Sequence, residues 1–365
     1  MYIKSGIFAL LVLFGLAFSG FVGGGVVDAQ QTESKPAAAP TPPEPIEEED
    51  KVEKIETESV NVLFTAQDRN RKLILTLKPE DVRILENGQV QPVSAFSRQI
   101  DLPLSLAILI DTSASQERTL PEEKAAAVSF LESVVRPKMD EVSVISFTGE
   151  STLEQGMTNN LTRLRRAIER VEFIPPSGYI GGGVVTNSGR VPGTPPISGG
   201  NQQIQGSTAI WDSIWVTSSD VLGPAPEKTR RAIVLLSDGY DTFSKKKLDE
   251  AVQAAQRAEA VIYSVGIGDK FYDGVDKGSL TKISERTGGR AYFPKDETEL
   301  REAFKQIQEE MRSQYLIAYE PTNRALDGSY RKIDIQLANP ELEKQKIRLT
   351  HRQGYFAKTT APVKK

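Results

Sequence analysis

Between residues 104 and 312 the chain keeps repeating one pattern: a short, almost unbroken apolar run, then a stretch whose apolar residues recur three and four positions apart. The runs are Leu104-Ser105-Leu106-Ala107-Ile108-Leu109-Ile110, Val142-Ser143-Val144-Ile145-Ser146-Phe147, Ala232-Ile233-Val234-Leu235-Leu236 and Val261-Ile262-Tyr263-Ser264-Val265. A strand with one wet face alternates polar and apolar residues. A strand that is apolar at nearly every position has both faces covered, as in a parallel sheet. The intervening stretches supply the cover: Ala127, Phe130, Leu131 and Val134 share one helical face, as do Leu248, Ala251, Val252 and Ala255, and Leu300, Phe304, Ile307 and Met311 form a third stripe. Strand and helix in alternation specify an α/β domain over residues 101–312, a doubly wound, mostly parallel sheet with helices on both faces.

Shorter β-prone runs flank this domain. Residues 59–100 contain Val60-Asn61-Val62-Leu63-Phe64, Lys72-Leu73-Ile74-Leu75 and Val82-Arg83-Ile84-Leu85, with an Asn87-Gly88 turn signal. Residues 313–358 contain Tyr315-Leu316-Ile317-Ala318-Tyr319, the alternating Ile333, Ile335 and Leu337, and a run over 346–350. A few strands need a partner surface, so the two segments are expected to pair into one small β-sandwich, the alternative being two separate decorations. Residues 359–365 are a tail.

The amino-terminal segment reads as an export signal over residues 1–29, with Lys4, an apolar run over 7–18 and Val27-Asp28-Ala29 as a small-residue cleavage site. The mature chain is expected to begin near Gln30 and to be periplasmic or secreted. Residues 7–27 are also long enough to span a bilayer, which takes roughly 20 residues, so a membrane enters only if the segment stays uncleaved. Residues 30–58, rich in Pro, Ala and Glu, form a linker. Residues 175–206, rich in Gly, Pro, Ser and Asn, form an unusually long loop inside the α/β domain.

Composition removes several chemistries. With 45 Lys+Arg against 49 Asp+Glu the net charge is -4, so no positive field favours a nucleic acid partner. The absence of cysteine excludes disulfides, thiol nucleophiles and thiolate metal sites. The single histidine, His351, excludes multi-histidine metal sites; lying in a late strand between Thr350 and Arg352, it reads as structural rather than as part of a Ser-His-Asp arrangement. Gly181-Gly182-Gly183 lacks the strand-to-helix setting of a phosphate cradle, and no small-molecule substrate is expected.

Three separated motifs carry the remaining chemistry. Asp111-Thr112-Ser113-Ala114-Ser115 follows the first core strand, placing a carboxylate and two hydroxyls at alternate positions on the edge where α/β sheets bind ligands. Gly206-Ser207-Thr208 leads into a helix containing Ile210 and Ile214, and Ser237-Asp238-Gly239 closes the strand 232–236. Oxygen donors of this kind suit a hard divalent cation. Each motif also has a plain reading: Ser113 and Ser115 as caps of a helix beginning near Gln116, Thr208 as a cap of the next helix, and Asp238 as a turn residue.

Order and spacing of the three motifs resemble the von Willebrand factor type A domain with its metal-ion-dependent adhesion site, a Rossmann-like fold. The resemblance implies Asp111, Ser113, Ser115 and Thr208 as metal ligands, with Asp238 as the fifth member, often acting through water. It implies Mg²⁺ as the cofactor, or Mn²⁺ or Ca²⁺ in its place. Ala114 stands where the family commonly has glycine. Residues 78–88 and 94–97, with 315–321, 328–333 and 352–356, further resemble the bacterial exported VWFA-related proteins, covering about 60–357; the loop 175–206 departs from that family. The resemblance implies a non-enzymatic module that captures a protein partner through its Asp or Glu. A cation-independent envelope scaffold and a metal-dependent hydrolase are the alternatives, Asp241 being the nearest candidate base. Asp241 is read either as a carboxylate that supports or rims the site or as an exposed turn acid, and Tyr179, Tyr240 and Phe243 either as an aromatic rim or as ordinary loop packing. Arg163, Arg165, Arg166 and Arg170 read as the wet face of a helix.

Overall fold

The computed structural model describes residues 59–99, 102–173, 207–226, 229–268 and 274–359. The expected signal segment, the linker, the loop 175–206 and Tyr179 lie outside the described residues. In chain order the elements are β1 (Val60–Gln67), β2 (Val82–Glu86), β3 (Gln89–Gln91), β4 (Val93–Gln99), β5 (Leu104–Asp111), α1 (Leu120–Val134), β6 (Glu141–Phe147), β7 (Ser151–Thr158), α2 (Leu161–Arg170) and α3 (Ile210–Val216). They continue with β8 (Arg230–Ser237), α4 (Leu248–Arg257), β9 (Ala260–Gly266), α5 (Lys277–Thr287), β10 (Ala291–Tyr292), α6 (Glu297–Arg312), β11 (Gln314–Tyr319), β12 (Tyr330–Leu337), α7 (Pro340–Lys344), β13 (Arg348–His351) and β14 (Gly354–Phe356).

The central sheet has the order β10-β9-β8-β5-β6-β7 and is parallel except for β7, which runs antiparallel to β6. Alternate residues of β5 feed two cores. Leu106, Ile108 and Ile110 pack with Ala127, Phe130, Leu164, Phe304 and Ile307 from α1, α2 and α6. Ala107 and Leu109 pack with Ile210, Ile214, Val252 and Ile283 from α3, α4 and α5. Every position of the strand therefore faces apolar cover, which is why its sequence is unbroken. β5 has β6 on one side and β8 on the other, so the loops leaving β5 and β8 diverge at the strand-order reversal and open a crevice there.

The flanks form two antiparallel four-stranded sheets, β13-β1-β11-β4 and β14-β12-β2-β3, around one core of Val62, Phe64, Ile84, Tyr315, Ile317 and Ile333. The single sandwich expected from the sequence is what forms, and the alternative of separate decorations is overturned, because β1 lies between β11 and β13 and β2 pairs with β12. One expected strand is corrected. Residues 72–75 keep only an isolated bridge between Leu73 and Gln67, because the chain doubles back at once: Asp68 Oδ1 accepts from Asn70 N (2.8 Å) and Lys72 N (2.9 Å). Leu75 is left exposed.

A buried carboxylate joins the two sheets. Glu86 Oε2 accepts from Tyr319 Oη on β11 and Tyr355 Oη on β14, both at 2.8 Å, and its Oε1 lies 3.5 Å from Arg331 Nη1 on β12. The sandwich is tied to the α/β part through Arg352, which donates to Glu259 Oε1 (3.0 Å) and to the Asn61 carbonyl (2.8 Å), and through Glu310, which accepts from Gln67 Nε2 (2.8 Å) and Tyr292 Oη (2.9 Å). His351 is neutral and structural, as expected. Its Nε2 accepts from Ile335 N (3.2 Å), so the proton is on Nδ1, which donates to the Arg352 carbonyl (2.8 Å); burial holds its pKa below the usual value.

Gly288 ends α5 at φ +90°, and a Cβ there would lie 2.6 Å from Arg352 N and 2.9 Å from the His351 carbonyl carbon. Both the left-handed backbone and the close approach of the sandwich demand glycine. Gly288→Ala is therefore expected to lower unfolding free energy by about 1–3 kcal/mol, read as a lower urea midpoint with an unchanged m-value. A midpoint within error of wild type would show that the two parts do not press together there. Among the described residues no helix is long and apolar enough to cross a membrane.

Candidate metal centre

β8, β5 and β6 are adjacent and parallel, so the loops after Ser237, Asp111 and Phe147 share one sheet edge. Asp111 is fully buried there. Its Oδ1 accepts from Ser113 N (2.9 Å) and its Oδ2 from Ser237 Oγ (2.7 Å), which itself accepts from Gly239 N (3.1 Å). The carboxylate is thus fixed from both neighbouring loops. Ser113 is extended (φ -67°, ψ 170°), and its Oγ lies 3.3 Å from Ser115 Oγ. A 3₁₀ turn, Ala114–Gln116, follows, and α1 begins only at Leu120, not near Gln116 as the sequence suggested. Neither serine side chain caps a helix, which removes the plain reading of both.

Thr208 is anchored to this edge by its backbone. Its N–H donates to Thr242 Oγ1 (2.9 Å), and its carbonyl accepts from Thr242 N and Phe243 N (2.9 and 3.0 Å), while the next residue, Ala209, donates to the Thr148 carbonyl beyond β6 (2.7 Å). Its side chain does not cap α3 either. That role falls to Asp241, whose Oδ2 accepts from Trp211 N (3.1 Å), together with Ser244 Oγ, which accepts from Trp211 N and Asp212 N. Asp241 is therefore a cap of α3, the helix that follows Thr208, and its Oδ1 also accepts from Ser244 N (3.1 Å) within its own turn.

Asp238 follows β8 with little exposure, and its Oδ1 accepts from Tyr240 N (3.0 Å), so it does shape its turn. The turn is held tightly: Asp276 N donates to the Asp238 carbonyl (2.7 Å), and Gly239, at φ +89°, passes so close to α5 that a Cβ would lie 2.8 Å from Leu280 Cγ. Tyr240 is exposed and Phe243 half-buried on the same loop. The structure thus gathers Asp111, Ser113 and Ser115 directly, places Asp238 within electrostatic reach of Asp111, and ties Thr208 to the Asp238 loop.

Burial, and then the nearby Asp238 carboxylate, push the Asp111 pKa up to about 7. A third carboxylate, Glu123 on the first turn of α1, is also fully buried; burial above all, then Asp111 and Asp238, pushes it up to about 8. Sequence reasoning missed Glu123, although a signal was present: it sits four residues before Ala127, on the same stripe as Phe130, Leu131 and Val134, so an acidic residue occupies a core-facing position.

Comparison with known proteins agrees with this topology. Residues 199–306 match the von Willebrand factor type A domain. This part of the chain belongs to a von Willebrand factor type A domain. The match contains Thr208 and Asp238, and the Asp111 loop precedes it. Similar solved structures include proximal thread matrix protein 1 from the mussel byssus, at 15% identity over 62% of this chain and 51% of that one with a TM-score of 0.46. The same mussel protein with a zinc-occupied MIDAS motif matches at 15% identity over 62% and 49%, with a TM-score of 0.45. An aerotolerance-related membrane protein from Bacteroides fragilis NCTC 9343 matches at 15% identity over 57% of this chain and all of that one, with a TM-score of 0.41. The chain spans about half the length of the mussel protein. No curated protein matches the sequence.

The donors at this edge are all oxygen, with carboxylates and hydroxyls mixed, a set that fits a hard cation. Among the described residues no three acidic or histidine side chains come together as a metal cage.

Proposed function

We propose that the protein is an exported, cation-dependent protein-binding module. Asp111, Ser113, Ser115 and Thr208, with Asp238 directly or through water, would hold Mg²⁺, or Mn²⁺ or Ca²⁺ in its place. The observation that carries the reading is the buried Asp111 carboxylate, oriented by Ser113 and Ser237, raised in pKa beside Asp238 and without an ion-pair partner among the described residues. Negative charge gathered in a low-dielectric edge is stabilised by a cation. When bound, a divalent ion there supplies an electrophilic centre little neutralised by hydroxyl donors, suited to an acidic side chain from outside.

The chain's own residues set the geometry. Ser237 and Ser113 aim Asp111, the 3₁₀ turn holds Ser113 and Ser115 together, Asp241 fixes the helix that follows Thr208, and Gly239 lets the Asp238 turn lie against α5. Asp241, the carboxylate a hydrolytic reading would turn to as base, is engaged as the cap of α3, which favours the binding reading.

Calorimetric titration of Mg²⁺ and Mn²⁺ into the mature protein tests the reading, with Asp111→Ala alongside. Saturable binding by wild type, lost at least a hundredfold in the variant, is expected, as is capture of an acidic protein partner that chelation reverses. Absence of binding of either ion by the folded wild type would overturn it, as would complexes that persist in chelator.

A further inference from the structure

β8 opens on Arg230-Arg231, two arginines directly before the apolar run 232–236. Successive residues of a strand point to opposite faces, so each face of the central sheet receives one guanidinium, at the edge opposite the candidate metal centre. Arg230 is almost fully buried, and among the described residues it meets only carbonyls. Its Nη1 donates to Met311 O and its Nη2 to Leu102 O (3.1 Å), while its Nε–H has no acceptor. The Leu102 carbonyl also accepts from Arg136 Nη2 (2.7 Å), so two cations converge on one neutral oxygen. Asp140 is engaged with Arg136, at 2.9 Å from Nε and 2.8 Å from Nη2. The sandwich supplies the facing wall. Val62 and Phe64 of β1 enter the sandwich core, so Leu63 turns the other way, directly opposite Leu316 of β11. A cavity of about 220 Å³ lies between, lined by Leu63, Leu102 and Leu316 and by Arg230, Arg352 and Glu259. Arg352 is also buried, and its Nε–H has no acceptor either. Glu259, the one acidic residue of the lining, is held by Arg352 (3.0 Å) and lies 4.0 Å from Arg231. Its side chain is 51% exposed against 10% for Arg352, so the positive charge lies inside and the negative charge outside.

We propose that this cavity binds a small organic monocarboxylate, its carboxyl group facing Arg230 and Arg352 and its apolar body lying among Leu63, Leu102 and Leu316. A buried guanidinium is costly to keep without a counter-charge, and neutral carbonyls supply none. A carboxylate does, and its two oxygens match the planar fork of N–H donors. The leucines ask for an apolar body, since a bare inorganic anion would leave them against water. Size agrees: the cavity exceeds the roughly 150 Å³ that admits benzene in an engineered apolar core. Glu259 limits the charge, because a second carboxylate on the ligand would meet it at the rim. The site uses no residue of the candidate metal centre, and its ligand needs no cation.

Benzoate is the probe, titrated into the mature protein in chelator and followed through the methyl signals of Leu63, Leu102 and Leu316. Benzamide, which keeps the ring and lacks the charge, and inorganic phosphate, which keeps the charge and lacks the ring, are the comparisons. Saturable shifts of these leucines with benzoate are expected, at an affinity about tenfold or more above that for either comparison. Arg230→Met should weaken benzoate by about tenfold or more. Leu63→Phe, which keeps both arginines and narrows the cavity, should reproduce the loss if the methionine variant folds poorly. Benzoate bound no more tightly than benzamide or phosphate would overturn the inference. So would unchanged affinity in either folded variant, or shifts confined to methyl groups elsewhere.

Discussion

Glu86→Ala is expected to be among the most destabilising substitutions in the chain, at about 3–5 kcal/mol, the range seen when one partner of a buried charged network is removed. Glu86 is almost fully buried, and through it β2 is joined to Tyr319 on β11, Arg331 on β12 and Tyr355 on β14. Alanine would leave two phenolic hydroxyls without their acceptor and the Arg331 guanidinium without its counter-charge, in a space sealed by Ile84 and Ile333. Burial and then the Glu86 carboxylate push the Tyr355 hydroxyl up to about 12, so it is a donor near neutral pH. Glu86→Gln keeps an acceptor for the hydroxyls on its amide oxygen, Oε1, while losing the charge and the oxygen that faces Arg331, and should cost clearly less. Urea unfolding of the three proteins, read by tyrosine and backbone signals together, gives the comparison. A loss below about 1 kcal/mol in the alanine variant would mean that the sheets are held by apolar packing alone.

Asp111→Asn is expected to act in the opposite sense, stabilising the cation-free protein while abolishing its response to Mg²⁺. The Asp111 carboxyl has a folded pKa of about 7 against an ordinary value of 3.8, so between those values the folded chain binds a proton that the unfolded chain has released. Stability therefore falls as pH rises from about 4 to 7, by up to a few kcal/mol, and stays low above. Glu123 works in the same direction up to about pH 8, whereas His351, held neutral by burial, works the other way below 6.5. Asparagine keeps an oxygen for Ser113 N, and its amide can donate to Ser237 Oγ, so geometry survives while the titration disappears. In chelator at pH 8 the variant should melt several degrees above wild type, and at pH 5 the gap should narrow. Added Mg²⁺ should raise the melting point of wild type only. A variant less stable than wild type in chelator at pH 8 would show that the carboxylate is not strained by its surroundings.

Much of this architecture was legible in the residues. Runs such as 232–236 announce strands covered on both faces, and the i, i+3, i+4, i+7 spacing of α1 and α4 appears as helix where it was expected. Pairing of the two β flanks followed from size alone, since neither could bury a core. Less legible were features that depend on partners distant in sequence. β7 escaped notice because it is an edge strand whose first residues, Ser151 to Leu153, face solvent, leaving no periodicity to read. Residues 72–75 looked like a strand because Leu73, Ile74 and Leu75 have the composition of one, but the Asp68 turn decides their path. At the candidate site the oxygen-bearing residues were identifiable from their motifs. The work of Asp241 as a cap for α3 was not, because Trp211 lies in a segment separated from it by a whole strand.

The interleaving of β1 between β11 and β13 sets an order of events during synthesis. Val60 pairs with Tyr319 and Phe64 with both Tyr315 and His351, so the first strands to leave the ribosome wait for almost the last. The central sheet pairs only residues between 104 and 292, and its closing helix, α6, ends at Arg312, so it can be assembled while Val62, Phe64 and Ile84 still have no covering sheet. At about 5–20 residues per second that interval lasts seconds, long enough for an open strand edge to find the wrong partner. A premature stop just after Arg312 would spare every residue of the candidate metal centre and still release a sticky, half-roofed chain. Loss of residues 313–365 is therefore a defect of biogenesis first and of recognition only second.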